Sequence, residues 1–255
     1  MDKEVVFVCE NSFDGMMTAV YDAWVEMLKG SKVHIRVRGE FVENFLYDYI
    51  YVITDFEKAR KVSDSIKKKI SVDAYMKVYR ACMHFDEERI DSVIDFLKIG
   101  YKVGGKVTRD YGNPLVMRVI ELDRKVGKEA HNFKGVLRFK EIEGGVLISK
   151  ITPKCDVLTL IEHHFSNRFP LENFVIYDEK RKKALVHKAG GDVVYVEEET
   201  EKIEKLYDDV TDSYEELFKI FFDTIGIESR KNERCQNNLL PKWYRKHMGE
   251  FKSSI

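Results

Sequence analysis

The sequence predicts an α+β fold, in which an antiparallel β-sheet built from hairpins is packed with several α-helices. Apolar residues recur at helical spacing through most of the chain before Gly135, and from there the period changes to two. Strand-like segments around residues 135–151 and 173–196 contain glycine pairs typical of hairpin turns. One short helix separates these segments, which differs from the regular alternation of strands and helices in a parallel sheet.

The N-terminal part begins with the strand-like stretch EVVFVCE and continues as a helix. Asn11 or Ser12 is placed to cap this helix, and Gly30 ends it. A second strand, KVHIRV, and a lysine-rich helix over residues 55–70 follow. We therefore expect residues 1–75 to form an α/β region that packs on the rest of the chain.

Residues 76–255 are expected to form an α+β domain that contains both hairpins. Asn113 followed by Pro114 marks the start of a long helix within it. The charge then changes sharply toward the C-terminus. Residues 197–228 hold 12 acidic side chains against 3 lysines, and residues 230–252 hold 7 lysines and arginines against 2 glutamates. These counts predict an acidic helix followed by a basic C-terminal tail.

Composition limits the classes of function that fit this chain. The net charge is −1, so any nucleic-acid binding must come from a local basic patch and not from the chain as a whole. The four cysteines form no C-x-x-C pair, which argues against a zinc or iron–sulfur site. The apolar runs are too short for a signal peptide or a membrane span. We expect a cytoplasmic protein with no cofactor, no metal and no membrane contact.

The stretch EHHFSNRF, residues 162–169, ends the helix between the two hairpin segments. His164 and Arg168 lie one helical turn apart, so their side chains can reach the same point. One interpretation is a half-buried histidine beside an arginine that extends along the surface, and spacing alone favours it. The other interpretation is a functional site. No H-E-x-x-H, P-loop or dinucleotide-binding glycine motif occurs in the chain.

A second polar cluster covers residues 128–141. His131 projects on the same side of its helix as Arg124 and Lys128, away from the apolar stripe. Arg138 lies between two apolar residues in a strand-like stretch, so its side chain points to the face opposite to theirs. The cluster is either a helix end that favours cationic side chains through the helix dipole, or an anion site at a helix–strand corner.

Several short motifs of this sequence occur in the same order as in a known protein family. They are Glu129-Ala130-His131, Arg138-Phe139, Asp156-Val157-Leu158, His164-Phe165, Arg168-Phe169, and Asp178 with Arg181. From about residue 80 onward the chain resembles a family of bacterial DNA-metabolism and DNA-repair proteins that has no established reaction. Members of that family resemble partners of a radical S-adenosylmethionine (radical SAM) repair protein, and related domains are fused to modules similar to uracil-DNA glycosylase. The resemblance implies a DNA-lesion context and no particular mechanism.

The leading hypothesis is a DNA-repair or DNA-metabolism protein that binds DNA or assists a radical SAM or glycosylase-type enzyme. Phosphate contacts need lysine or arginine, and stacking on bases needs accessible aromatic rings. The candidate anion- or DNA-binding residues are Arg124, Lys128, Arg138, Arg168, Lys242, Trp243, Arg245 and Lys246.

Two alternatives stay open at this point. The first is an enzyme that acts on a damaged base or on a sugar–phosphate, with His131 and His164 as catalytic residues assisted by Arg138 and Arg168. A shared site of this kind would place a ring nitrogen of His131 within about 12 Å of a guanidinium nitrogen of Arg138 or Arg168, a loose bound beside the ~3 Å of a hydrogen bond. The second alternative is a protein-binding adaptor with no DNA contact, which docks through the acidic residues 197–216.

Overall fold

The computed structural model describes residues 4–198, 200–209 and 232–251. The chain divides into two compact units, Met1–Gly127 (unit 1) and Lys128–Ile255 (unit 2). The boundary expected from the sequence, between residues 75 and 76, lies inside unit 1. No helix of the described residues is long and apolar enough to cross a membrane.

Unit 1 contains a three-stranded parallel sheet. Its strands are Glu4–Cys9 (β1), Val33–Val37 (β2) and Tyr47–Tyr51 (β3), and they lie in the order β2-β1-β3. Helix α1, Phe13–Leu28, connects β1 to β2, because two parallel neighbours need a crossover connection. The apolar side chains of β1 and of one face of α1 are buried together and form the core of this unit.

Further α-helices begin in unit 1. They are α2, Phe56–Lys69; α3, Val72–Cys82; α4, Arg89–Val103; and α5, Pro114–Val136, which begins in unit 1 and ends in unit 2. The side chain of Ser12 accepts a hydrogen bond from the Gly15 N–H and so caps α1, as predicted. Asn113 does the same for α5 through the Leu115 N–H.

Unit 2 contains a five-stranded sheet in the order β4-β5-β6-β7-β8. The strands are Lys140–Ile142, Val146–Ile151, Phe174–Asp178, Lys183–His187 and Val193–Val196. β5 and β6 are parallel and the other neighbours are antiparallel, so the sheet is mixed and the predicted antiparallel sheet is only partly matched. The reason is helix α6, Leu158–Arg168, which crosses back between β5 and β6 and returns the chain to the same end of the sheet. The α+β class is confirmed.

Short helical segments complete unit 2. Helix α7, Thr200–Asp209, covers part of the predicted acidic helix, and the rest of residues 197–228 lies largely outside the described residues. In the basic tail, helix α8 spans Glu233–Leu239 and a 3-10 turn spans Lys242–His247. The tail is therefore partly helical.

Candidate functional site

The loop between β5 and α6 is fastened by two carboxylates of the family-like motifs. Glu129 on α5 is buried, and its oxygens accept hydrogen bonds from the N–H groups of Lys154 at 2.6 Å and Cys155 at 3.1 Å. Buried carboxylates are stable when backbone donors satisfy them in this way. Glu129 therefore has a structural role, which is to fix the backbone that leads into α6.

Asp178 and Arg181 hold the same loop from the sheet side. Asp178 is completely buried and pairs with the Arg181 guanidinium at 2.9 Å. Arg181 in turn donates hydrogen bonds to the carbonyl oxygens of Pro153 and Lys154, at 3.3 and 2.6 Å. Burial raises the pKa of Asp178, although the neighbouring Arg181 opposes this shift. These matched residues thus orient α6.

His164 lies near the C-terminal end of α6 and is half-buried. Its ring meets the ring of Phe165 edge to face, with centroids 4.9 Å apart. Burial lowers the pKa of His164, and the positive charges of Lys134 and Arg168 lower it further. The adjacent His163 is exposed and contacts Asn167 one turn later at 3.0 Å. Lys134 and Arg168 are therefore the cations whose positive charge acts on the imidazole of His164.

We call Lys134, His164 and Arg168 the α6 cationic cluster. The guanidinium of Arg168 is exposed and lies 5.7 Å from the centre of the Phe169 ring. In the described parts of the chain, neither Lys134 nor Arg168 forms an ion pair with a carboxylate, and no carboxylate raises the pKa of His164. A cluster of this composition attracts an anion, with one bidentate donor from arginine and one point charge from lysine.

Arg138 has a different environment from Arg168. Its guanidinium donates hydrogen bonds to the Glu250 carboxylate at 2.9 Å and to the carbonyl oxygen of Gly135 at 3.2 Å. The Glu250 side chain is only 3% exposed, so this ion pair joins the tail to the end of α5. His131 is exposed on α5, and its predicted approach to Arg138 or Arg168 stays a prediction. Arg124 and Lys128 are exposed on the same helix.

The chain was compared with models of known protein families. A family model described as a domain of unknown function, DUF4130, matches residues 87–250. The chain belongs to the DUF4130 family. No curated protein matches the chain. The DUF4130 match includes the α6 cationic cluster, the carboxylates that orient α6, and residues 232–250 of the basic tail.

The basic tail of this DUF4130 protein packs on its own unit. Tyr244 is buried and accepts a hydrogen bond from the Asn132 side chain at 3.0 Å, and Trp243 stacks on Tyr244 with ring centroids 3.7 Å apart. Arg245 donates to the carbonyl oxygen of Leu240, at 2.8 Å. Lys246 pairs with Glu179, whereas Lys242 is exposed. Among the predicted tail cations, Lys242 is thus the exposed one that has no ion pair or hydrogen bond with the described residues.

A further polar cluster in the DUF4130 region was not predicted from the sequence. The Thr152 hydroxyl lies 2.7 Å from His247 Nε2 and donates to Glu179 at 2.8 Å. Burial lowers the pKa of His247 to about 4. Burial also opposes ionisation of Glu179, but hydrogen bonds from Lys246 and Thr152 outweigh this effect and lower its pKa to about 2. Lys150 lies 3.5 Å from the same carboxylate.

This second cluster is closed to substrates. The adjacent cavity, lined by Thr152 and His247 among others, has a volume of about 10 Å³, which is about the space of one water molecule. No sequence motif predicts the cluster, because its members come from three distant segments of unit 2. Within the described residues, no group of three His, Cys, Asp or Glu side chains is arranged to hold a metal ion.

Proposed function

We propose that this protein binds nucleic acid in DNA metabolism or repair, and that the α6 cationic cluster holds a backbone phosphate. The observation that carries the proposal is the set of cations at Lys134 and Arg168 without a carboxylate partner among the described residues. An arginine with free donors can form two parallel hydrogen bonds to a phosphate. The cluster is a local patch, which fits a chain with a net charge of −1.

The position of Arg168 adds to this support. It is the last residue of α6, where the negative end of the helix dipole favours a cationic side chain. Its guanidinium lies 5.7 Å from the centre of the Phe169 ring, and the side chain stays exposed. A side chain held in this way loses little conformational freedom when a phosphate binds.

Exposed basic residues of α5 extend the proposed surface within unit 2. Lys128 and His131 are three positions apart, and His131 and Lys134 are three positions apart, so these side chains follow neighbouring turns of one helix. Phosphate contacts of this kind position a nucleic acid without reading its sequence. The protein would therefore bind DNA with weak sequence preference.

The biological setting follows from the family resemblance described above. A DNA-repair role beside a radical SAM or glycosylase-type enzyme is the setting that this resemblance implies, and the cytoplasm is the location expected from the composition of the sequence. In that setting the protein supplies DNA binding or positioning and its partner supplies the chemistry. The enzyme alternative, with His131 and His164 as proton-transfer groups, predicts turnover of lesion-containing DNA by the isolated protein.

Salt-dependent binding tests the proposal. The affinity for a short duplex is measured by fluorescence anisotropy over a range of NaCl concentrations, for the parent protein and for Lys134→Ala and Arg168→Ala. Each lost phosphate contact should reduce the slope of log affinity against log salt by about 0.9. Thermal unfolding of the variants verifies that the fold is intact.

Lys180→Ala provides a matched control for the loss of one positive charge. Lys180 is exposed in the turn after β6, whereas α6 ends before the other end of that strand. This control should leave the slope close to the parent value. Equal slopes for the parent, Lys134→Ala and Arg168→Ala would reject the α6 cationic cluster as the DNA contact.

A further inference from the structure

The two edges of the parallel sheet in unit 1 differ. The outer edge of β2 is covered by α4, because the Ile35 N–H donates a hydrogen bond to the Asp91 side chain at 2.7 Å. At the other edge, the Val52 N–H donates to the carbonyl oxygen of Val8 at 2.8 Å, so even-numbered residues of β3 direct their backbone groups toward β1. The odd-numbered residues Tyr49 and Tyr51 therefore direct theirs outward.

The outward backbone groups of β3 have no backbone partner in the described part of the chain. The sheet ends at β3, and the described hydrogen bonds of Tyr49 and Tyr51 outside the sheet involve their hydroxyls. An edge of this kind can accept an additional strand, and proteins commonly protect it with proline, lysine or a covering segment. The stretch YDYIY contains neither proline nor lysine.

Apolar side chains are exposed beside this edge. Ile53 is 86% exposed and Phe56 is 70% exposed, and Tyr51 and Ile50 are about half exposed. The end of β3 and the start of α2 line a shallow depression of about 680 Å³ that contains these side chains. Contiguous apolar surface next to an open strand edge is typical of a protein-binding site.

Charge selects among the possible occupants. Residues 41–57, the acidic segment, contain four carboxylates and no lysine or arginine, the acidic residues being Glu43, Asp48, Asp55 and Glu57. Two cations lie beside this segment: Lys58 lines the depression, and the Arg38 guanidinium lies 5.6 Å from the centre of the Tyr51 ring. The four carboxylates outnumber these two cations, so the edge is acidic on balance. A second copy that paired its own β3 with this edge would bring like charges together, which is unfavourable. A strand with lysine or arginine between apolar residues would instead find opposite charges.

We propose that β3 is a docking edge for an extended, apolar and basic segment of a partner protein, which adds to the sheet as a fourth strand. The outward N–H and C=O groups of Tyr49 and Tyr51 bind the partner backbone. Its apolar side chains occupy the depression near Ile53 and Phe56, and its cations face the acidic segment. This docking edge lies in unit 1 and does not depend on DNA binding by unit 2.

A capped synthetic peptide of alternating valine and lysine serves as the probe. Titration into the full-length, isotope-labelled protein should shift the amide resonances of Tyr49, Tyr51 and Ile53 and leave those of β2 unchanged. The matched peptide with glutamate in place of lysine should bind at least several-fold more weakly. Equal binding of both peptides, or shifts confined to β2, would overturn the proposal.

Variants of the protein test separately whether peptide binding uses the backbone hydrogen bonds of β3 and the negative charge beside it. Tyr51→Pro removes one outward N–H without removing a bond to β1, and the loss of one hydrogen bond should weaken peptide binding about fivefold. Glu57→Lys should also weaken binding, whereas Glu87→Lys, an equal charge change at another exposed position of unit 1, should not. If Tyr51→Pro does not fold, the Glu57/Glu87 pair decides.

Light scattering on the protein without peptide tests whether a second copy of the chain occupies the β3 edge. A monomer in the parent protein agrees with a heterologous strand. A dimer that dissociates in Tyr51→Pro, or in Glu57→Lys where the proline variant does not fold, would show that a second copy occupies the edge, and the proposal would be wrong.

Discussion

The hydroxyl of Thr152 and the Nε2 atom of His247 lie 2.7 Å apart. This contact joins the C-terminal 3-10 turn to the end of β5, and Glu179 accepts a hydrogen bond from the same hydroxyl. A hydroxyl has one proton to donate, so donation to Glu179 requires that His247 Nε2 carries the proton that it shares with Thr152. The neutral imidazole is therefore the tautomer with its proton on Nε2, and Nδ1 is the atom that takes up a second proton at low pH.

The free energy of unfolding should fall as the pH is lowered from about 6.5 to about 4. Burial lowers the pKa of His247 from 6.5 to about 4, so within this window the unfolded chain binds a proton that the folded chain does not. The stability that depends on neutral His247 is fully present above about pH 6.5 and is lost progressively as the pH falls to about 4. The total loss from this residue is about 3 kcal/mol at most. Urea unfolding at several pH values measures it.

His247→Gln is the matched variant for this pH dependence. Glutamine can donate one hydrogen bond to Thr152 but does not titrate in this range, so the variant should show a smaller loss of stability between these pH values. Part of the loss should remain, because burial also lowers the pKa of His84 to about 4. A pH profile identical to that of the parent would contradict the assigned role of His247.

Arg138 and Arg168 should separate stability from DNA affinity. Arg138→Ala leaves the buried Glu250 carboxylate without its guanidinium partner, which should cost about 1–3 kcal/mol. Arg168→Ala removes an exposed side chain and should change stability by less than about 0.5 kcal/mol while it weakens DNA binding. Denaturant unfolding and anisotropy on both variants provide the four values. A clear loss of stability in Arg168→Ala would mean that Arg168 stabilises the fold, which would contradict its proposed role as a free phosphate contact.

The fold class could be predicted because it depends on local periodicity and turn residues. The strands around residues 173–196 and the start of α5 at Pro114 follow directly from such signals. The parallel pairing of β5 with β6 does not, because it depends on where α6 packs after it leaves the sheet. The relative direction of two strands depends on tertiary contacts, which cannot be predicted from a short stretch of sequence.

The candidate site was only partly predictable for the same reason. Helical phase places His164 beside Arg168 and needs no tertiary information. The contribution of Lys134 depends on how α5 and α6 pack within unit 2. The pairing of Arg138 with Glu250 joins residues 112 positions apart, so sequence spacing gave no indication that Arg138 already has a carboxylate partner.

Glu129 should contribute to stability rather than to chemistry. Glu129→Gln replaces one acceptor with an amide donor, which would then oppose the N–H of Lys154 or Cys155. An unsatisfied buried donor should cost about 1–3 kcal/mol in urea unfolding. Glu121→Gln, at an exposed position of the same helix, is the control and should have little effect. Wild-type stability in Glu129→Gln would mean that the carboxylate is free for another role.

The basic tail should divide into one accessible cation and two that stabilise the fold. Lys242 is exposed, so Lys242→Ala should leave the unfolding temperature unchanged and, if the tail contacts DNA, reduce the salt slope of duplex binding by about 0.9. Arg245 bonds to the Leu240 carbonyl and Lys246 to Glu179, so alanine at either position should lower the unfolding temperature.

The single variants are therefore more informative than a triple alanine variant, in which weaker DNA binding and a weaker fold are combined. The measurement is thermal unfolding together with anisotropy at several salt concentrations. A parental slope in folded Lys242→Ala would show that this lysine makes no phosphate contact. If Arg168→Ala still lowers the slope, the DNA contact lies at the α6 cationic cluster and the tail acts as a structural brace for unit 2.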